Sequence, residues 1–527
     1  MKSQNKGSYQ QARWQEPFIM EKGTAGERGV FVSRPEPEVE ASTDSLEDLL
    51  PEGIRRDRPP ALPELSQMQV LRHYLRLSQE TLGTDLCIDI GQGTCTMKYS
   101  PKIHEYMVRS PKLSECHPNQ PFETLQGILG IYYDTACFLK EISGMDQFSL
   151  QASSGSQAIY AAVSMMRAYH HDQNEGSRRN EIITTMLSHP GNPGCAATAG
   201  YKVINLFPGE DGLPDIDSLK EAVSEKTAGL LITNPEDSGL FNHRIDEFVS
   251  IVHEAGGVCF YDQANLNGLF GITRAREAGF DMCHFNLHKT FSSPHGSHGP
   301  GAGALGVREK FIPYLPKPIV DYDGNSYYLD EERPRSIGKL RKFFGVAPVV
   351  VRAYAYILSL GAEGLNMVAK LSILNNNYML KKMEDIPGLS LPWAQGVPRI
   401  EQARLSWEKL TEDTGITTDD INLRMLDYGF QTYFTSHHPR LIPEPFTPEP
   451  VETYSKDDID QYVQALKAIA QEAYDNPEVI KEAPHSTAMQ DRIDPSYLTD
   501  MKRFACTLRA FIRKDKEGRA NEIEGDQ

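Results

Sequence analysis

What the chain lacks narrows it first. Its eight cysteines, at 87, 95, 116, 137, 195, 259, 283 and 506, include no C-x-x-C pair, which argues against a zinc ribbon or a disulfide framework. No run of eighteen apolar residues occurs, and the N-terminus "MKSQNKGSYQQARWQEPF" has neither an apolar core nor a small-residue cleavage site, so a secreted or membrane protein is not expected. The 54 basic residues are outnumbered by 72 acidic ones, for a formal charge of -18, and form no block that would track phosphates. Nucleic acid is therefore a poor partner. No internal repeat appears. The expectation is a reduced, cytoplasmic protein without nucleic-acid or membrane partners. At 39% hydrophobic and 24% charged, its 527 residues suffice for two or three compact units with a large core.

Residues 1–66 are rich in Pro, Glu and Arg, as in "RPEPEVEASTDSLEDLLPEGIRRDRPPALPEL", with little periodicity. They read as an extended arm, and Phe18, Ile19, Phe31, Leu49 and Leu50 give it apolar points for wrapping the main body or a partner. Residues 67–345 read as a large domain with a helical lead-in to about 145, carried by "MQVLRHYLRLSQE" and "FETLQGILGIYYDTACFLKEISG". From there, strand-like "EIITTML", "YKVINL", "AGLLIT" and "GVCFYD" alternate with amphipathic "GSQAIYAAVSMMRAYHH" and "IDEFVSIVHEAG". Such alternation predicts an α/β fold, a mostly parallel sheet with helices on both faces and ligands beyond the carboxyl ends of the strands. Residues 346–527 read as a smaller α+β domain and tail. It holds a long helix in "EGLNMVAKLSILNNNYMLKKMED", a strand-like "RLSWEKL", and helices in "TTDDINLRMLDYG" and "DDIDQYVQALKAIAQEAY".

The chemistry concentrates around "HFNLHKTFSSPHGSHGPGAG". Lys289 follows a strand-like run and precedes a glycine-rich turn, where its amine can form a Schiff base with a carbonyl cofactor. Asp262 closes "GVCFYD" 27 positions earlier, and together they are the pair pyridoxal phosphate requires: an amine for the aldehyde and a carboxylate for the pyridine nitrogen. "ASSGSQAIY" sets Ser154, Gly155, Ser156 and Gln157 at a helix start, an anion seat by its unpaired N–H groups and dipole. His189, after "EIITTML", is placed to stack on a flat ring, Asn234, after "AGLLIT", to reach its phenolic oxygen, and His288 sits beside the lysine. Each has an ordinary reading taken singly: surface lysine, turn or cap, structural histidine. His284 and His288 share a face in either a helix or a strand, so a metal pair stays open, although it leaves Lys289, Asp262 and the anion seat unexplained.

With these residues in place, the chain resembles the glycine decarboxylase P-protein family, in particular subunit 2 of the two-subunit glycine dehydrogenase (decarboxylating). The likeness runs through "EPFIMEKGTAGERGV", "GTCTMKYSPK", "LQASSGSQAIYAA", "YDQANLNGLFG" and "HFNLHKTFSSPHGSHGPGAGALGV". It implies a type I aminotransferase-like fold, with Lys289 holding pyridoxal phosphate, Asp262 pairing with its ring nitrogen, His189 stacking on it, and Ser154 to Gln157 seating its phosphate. It also implies decarboxylation of glycine, transfer of the aminomethyl group to the lipoyl disulfide of the H-protein, and subunit 1 as a partner for the arm to wrap. Departures cluster near the site: Pro190 and Gly191 in "HPGNP", where the family reads H-G-T-N-P; Ile159 in place of a carboxylate; Gln263, Ser297 and His298 in place of glycines. They keep two other readings open, a related decarboxylase for another small amino acid and an assembly subunit without turnover. Cys95 reads either as a packed apolar group or as a thiol responsive to oxidants.

Overall fold

The structure, a computed structural model, describes residues 9–487 and 492, apart from 28, 30–32, 43–49, 57, 59–61, 83–85, 96–97, 294–299, 432 and 437–439. Its centre is a seven-stranded sheet of β1 (Gln147–Ala152), β2 (Glu181–Thr185), β3 (Lys202–Leu206), β4 (Thr227–Thr233), β5 (Val258–Asp262), β6 (Met282–Asn286) and β7 (Gly303–Val307). The order is β1-β7-β6-β5-β4-β2-β3, and only the pairings of β7 with β1 and β6 are antiparallel. The sheet is mostly parallel, as the alternating pattern implies.

Strand residues alternate between two cores because successive side chains leave a strand on opposite sides. Leu230 and Ile232 of β4, Cys259 and Tyr261 of β5, and Cys283 and Phe285 of β6 enter one core. Leu231, Val258, Phe260 and Met282 enter the other. Both faces are covered, so these strands read as continuous apolar runs. The helix Gly155–Asp172 buries Ala158, Ile159, Ala162, Val163 and Met166 in the second core. The helices Gln126–Ser143 and Ile245–Glu254 bury Leu129, Tyr132 and Leu139, and Phe248, Val249 and Val252, in the first.

A third core gathers Met379, Met383, Trp407, Leu410, Ile421, Met425, Phe446, Ile459 and Leu466. The expected strand in "RLSWEKL" shrinks to Leu405–Ser406, paired with Pro445–Phe446, and Glu408–Thr414 is helical. The pairing extends one step further, where the Trp407 N–H donates to the Glu444 carbonyl at 2.9 Å, and ends there because Glu444 holds a positive φ of 43° and Trp407 opens the next helix. The two helices after it match the expectation, at Thr418–Asp427 and Lys456–Asp475, each opened by a capping box from Thr417 and Ser455.

The expected boundaries near 66 and 345 do not match how the chain is tied. Contacts define a large unit of 82–483 with residues 9–10, and a second unit of 11–81 with residues 484–487. The helix Gln67–Gln79 belongs with the arm because Glu16 accepts hydrogen bonds from Lys22, from Arg76 at 3.0 Å and from His73 at 2.9 Å. These bonds hold its carboxyl down to about 2. At 346 there is no break, since the helix Ala347–Met383 runs from the first core into the third. It is long and apolar enough to cross a membrane, but it is interrupted at Gly361 (φ 61°) and buries Val349, Val350, Ala353, Val368 and Met379 in the fold.

β7 lies against the start of the helix Gly155–Asp172, where a Cβ on Gly303 would stand 2.6 Å from the Ser154 carbonyl oxygen and 2.9 Å from the Ala158 Cβ. Gly303→Ala is expected to lower the unfolding free energy by about 1–3 kcal/mol through overpacking, measured by urea denaturation.

Candidate active site

The carboxyl ends of the parallel strands converge on a cavity of about 190 Å³ lined by Ser154, Gly155, Ser156, His189, Asn234, Asp262, His288 and Lys289, among others. Register brings the central groups together: Thr233 of β4, Asp262 of β5 and His284 of β6 stand side by side. Lys289 follows the end of β6 by three residues, and its N–H donates to the Asn286 carbonyl at 3.0 Å. Ser292, immediately beyond, holds a positive φ of 58° that non-glycine residues rarely adopt, with its hydroxyl donating to the Tyr99 carbonyl at 2.6 Å.

Asp262 is 2% exposed. Asn192 Nδ2 donates to its Oδ2 at 3.0 Å, the Ala264 N–H donates to its Oδ1 at 3.1 Å, and His284 Nδ1 lies 3.6 Å away. Burial alone would raise this carboxyl, but His284, His189, the Ala264 N–H and Lys289 outweigh it and hold it below its usual range. His189 is also shifted down, burial first and Lys289 second, which for a base favours the neutral ring. The Gly191 N–H donates to its Nδ1 at 2.9 Å, which leaves the proton of the neutral imidazole on Nε2. The bond lies within "HPGNP", and glycine at 191 leaves room for the ring, since a Cβ there would stand 2.9 Å from His189 Nδ1. Ile159 lines the cavity where the resembling family has a carboxylate.

Ser154 caps its helix, accepting from the Gln157 N–H at 3.1 Å. Gln157, expected to touch the cofactor, does not line the cavity: its Oε1 takes the Ser153 N–H at 2.7 Å and its Nε2 donates to Leu340 O at 3.0 Å. The anion seat thus reduces to Ser154, Gly155 and Ser156. Asn234 lines the cavity, but its amide is engaged with the Asn242 backbone, donating to O at 3.1 Å and accepting from N at 2.8 Å. Its expected reach to a phenolic oxygen gives way to shaping the loop after β4. Ser297, His298 and the Cys95 side chain lie outside the described residues. Gln263 is buried and outside the cavity lining.

Asn192, Thr233, Asn265, Asn286, Glu401 and Gln402 also belong to the site or its support, and sequence reading did not single them out. Asn192 stood inside the quoted "HPGNP", whereas Glu401 comes from a C-terminal stretch with no local signal. Among the described residues, the grouping that could hold a metal is His253, Cys259 and Asp281. It lies at the amino ends of β5 and β6, and Asp281 is already bonded to His253 and Lys310, each at 2.8 Å. His284 and His288, read from their spacing as a possible metal pair on one face, both line the cavity but are not part of that grouping.

The residues fit pyridoxal phosphate. Both ring nitrogens of His284, Asn286 Oδ1 and Thr233 Oγ1 are buried without a hydrogen-bond partner in the protein, an arrangement that calls for a polar ligand. A Cβ on Gly155 would meet Asn286 Oδ1 at 2.7 Å, and one on Gly301 would meet His288 Nδ1 at 2.8 Å. Glycine keeps both walls flat.

Residues 368–488 match the family model of the glycine dehydrogenase C-terminal domain. The chain is 43% identical over 488 residues to the probable glycine dehydrogenase (decarboxylating) subunit 2 of Pyrococcus abyssi, covering 92% of this chain and 95% of that protein. It is 41% identical over 515 residues to its counterpart in Thermococcus gammatolerans, covering 97% and 100%. Among solved structures, a glycine decarboxylase (P-protein) of the glycine cleavage system in inhibitor-bound form superimposes with a TM-score of 0.70 at 19% identity, over 84% of this chain and all of that one. A Burkholderia pseudomallei sphingosine-1-phosphate lyase does so with a TM-score of 0.59 at 15% identity, over 81% and 95%.

Below the cavity, Glu236 is buried, accepts from Thr185 and Ser188, and is pushed up by burial to about 8. The folded state keeps a proton that the unfolded chain releases above about pH 4.3. Its contribution to stability is therefore complete below that pH and is lost as pH rises to about 8. Relative to wild type, Glu236→Gln is expected to gain stability steadily from about pH 4.3 to 8, measured by denaturant midpoints across that range.

Proposed function

The chain belongs to the glycine dehydrogenase (decarboxylating) subunit 2 family, and from that we propose that it is a pyridoxal-phosphate enzyme that decarboxylates glycine in a glycine cleavage system. The observation that carries this reading is the meeting of Lys289, ionised Asp262, neutral His189 and a helix start in one cavity. When bound, the cofactor supplies a ring that accepts the electron pair left behind as carbon dioxide departs.

The chain's own residues do the rest. Lys289 Nζ anchors the cofactor carbonyl, and Asp262 keeps a negative charge for a protonated ring nitrogen, fixed in place by Asn192 and Ala264. His189 presents a neutral imidazole whose orientation is set by the Gly191 N–H. The Ser154–Ser156 turn offers N–H donors and the positive end of an 18-residue helix to a phosphate. Enclosure in the cavity keeps bulk water from these groups and strengthens their electrostatics.

The reading includes a partner chain, as the subunit 2 naming of the relatives implies, a lipoylated H-protein as acceptor of the aminomethyl group, and a cytoplasmic setting. An intact lysine–carboxylate pair favours turnover over a purely structural role. Lys289→Ala is expected to lose the visible absorbance of lysine-bound pyridoxal phosphate. Exchange of labelled carbon dioxide into glycine, assayed with partner subunit and lipoylated H-protein, should fall to background. A variant that kept both signals would sink the proposal.

A further inference from the structure

Residues 399–404 form an irregular strap whose anchoring exceeds what a connecting loop needs. Arg399 is fully buried and donates to the carbonyls of Pro392, Trp393, Ala394 and Val397 at 3.1, 2.8, 3.3 and 3.1 Å. Asn377 Nδ2 donates to Arg399 O at 2.7 Å, and Asn376 Nδ2 to Ile400 O at 3.2 Å. The Ile400 N–H donates to Gly239 O at 2.9 Å, and Arg404 pairs with Asp237 at 2.6 Å. Between these ties the strap delivers Glu401 to the cavity wall that also holds Lys289.

Glu401 is 2% exposed, and its Oε2 has no hydrogen-bond partner in the protein. Room for it exists because residue 268 is glycine: a Cβ there would collide with Ile400 and the Glu401 carboxyl. A second buried carboxyl, Glu449, accepts from Asn265 and Asn267, each at 2.7 Å, and Asn265 itself lines the cavity. Burial first and Glu449 second push Glu401 well above the usual carboxylate range, and burial pushes Glu449 up to about 7 against the Asn267 and Asn265 bonds. Glu449, Lys289 and Tyr261 are the titratable groups that act on Glu401, while Asp237, Asp262, His189, His284 and His288 share the cavity.

No arginine is among the described lining residues. A substrate amine brought to Lys289 Nζ carries its carboxylate carbon only about 2.5 Å from its own nitrogen. The carboxylate therefore enters the same cavity of about 190 Å³ that Glu401 lines, and the charge of Lys289 is felt at Glu401. We infer that Glu401 is the carboxylate-recognition residue of the pocket, its carboxylic acid donating a hydrogen bond to the α-carboxylate of the amino-acid substrate. This rests on the reaction proposed above. A neutral acid holds the carboxylate with one hydrogen bond instead of the bidentate clamp of a guanidinium. Less binding energy is then committed to a group that must leave as carbon dioxide.

The test is calorimetric binding of glycine, and of methylamine as a probe lacking the carboxylate, to the cofactor-loaded protein across pH, for wild type, Glu401→Gln and Glu401→Ala. Glu401→Gln, which still donates, should bind glycine within a few-fold of wild type at low pH. It should also lack the extra weakening that wild type shows when Glu401 ionises at higher pH. Glu401→Ala should bind glycine about 10- to 100-fold more weakly and methylamine unchanged. Equal glycine affinity in wild type and Glu401→Ala, or identical pH dependence in wild type and Glu401→Gln, overturns the inference. Failure of wild type to bind glycine at all points instead to failure of the proposed function.

Discussion

The constraint on which this site depends is the burial of a charge. Asp262 must stay ionised in a place almost free of solvent, where an isolated carboxylate would take up a proton. The fold prevents this with neighbours from three stretches of chain: His189 and Asn192 at the start of the helix after β2, the Ala264 N–H from the loop that follows Asp262 itself, and His284 and Lys289 in and just beyond β6. They converge because four parallel strands end together and because register sets Thr233, Asp262 and His284 abreast. A one-residue slip in β6 would turn His284 to the other face. The two cores that lock each strand by its alternate side chains are therefore part of the site's electrostatics.

The opposite solution appears a short way along the cavity wall. At Glu401 burial and Glu449 outweigh Lys289, and at Glu449 burial outweighs Asn267, Asn265, Lys289 and Lys98, so both are shifted upward where Asp262 is shifted downward. One cavity thus holds a carboxylate and a carboxylic acid, their protonation states separated by environment, which is the usual way a site obtains an acceptor and a donor from the same side-chain chemistry. The amide groups of Asn265 and Asn267 connect the second pair to the loop that follows Asp262.

Much of the fold was legible because its strands and helices carry strong periodic signals. "EIITTML", "AGLLIT" and "GVCFYD" lie at β2, β4 and β5, and the capped helix at Gly155 begins beside the serine that the sequence marks. "RLSWEKL" misled because alternation over a few residues does not reveal that the partner segment turns at Glu444 and that a helix starts at Glu408. The boundaries at 66 and 345 misled because composition changes there while contacts do not: Glu16 binds the arm to the helix Gln67–Gln79, and one helix threads two cores. Asn234 lines the cavity and Gln157 does not, and the amides of both serve neighbouring backbone, because direction is a property of the packed side chain.

By itself the sequence determined the chemical inventory: an amine after a strand, a carboxylate ending another, a helix start for an anion, and the motifs that tie the chain to its family. These follow from local pattern, since propensity, capping and strand alternation act over a few residues. Only the tertiary structure decided which groups carry charge and which carry protons. Protonation is set by burial and by neighbours from distant parts of the chain, and Glu401 lies 112 positions beyond Lys289 in a strap with no periodic signal.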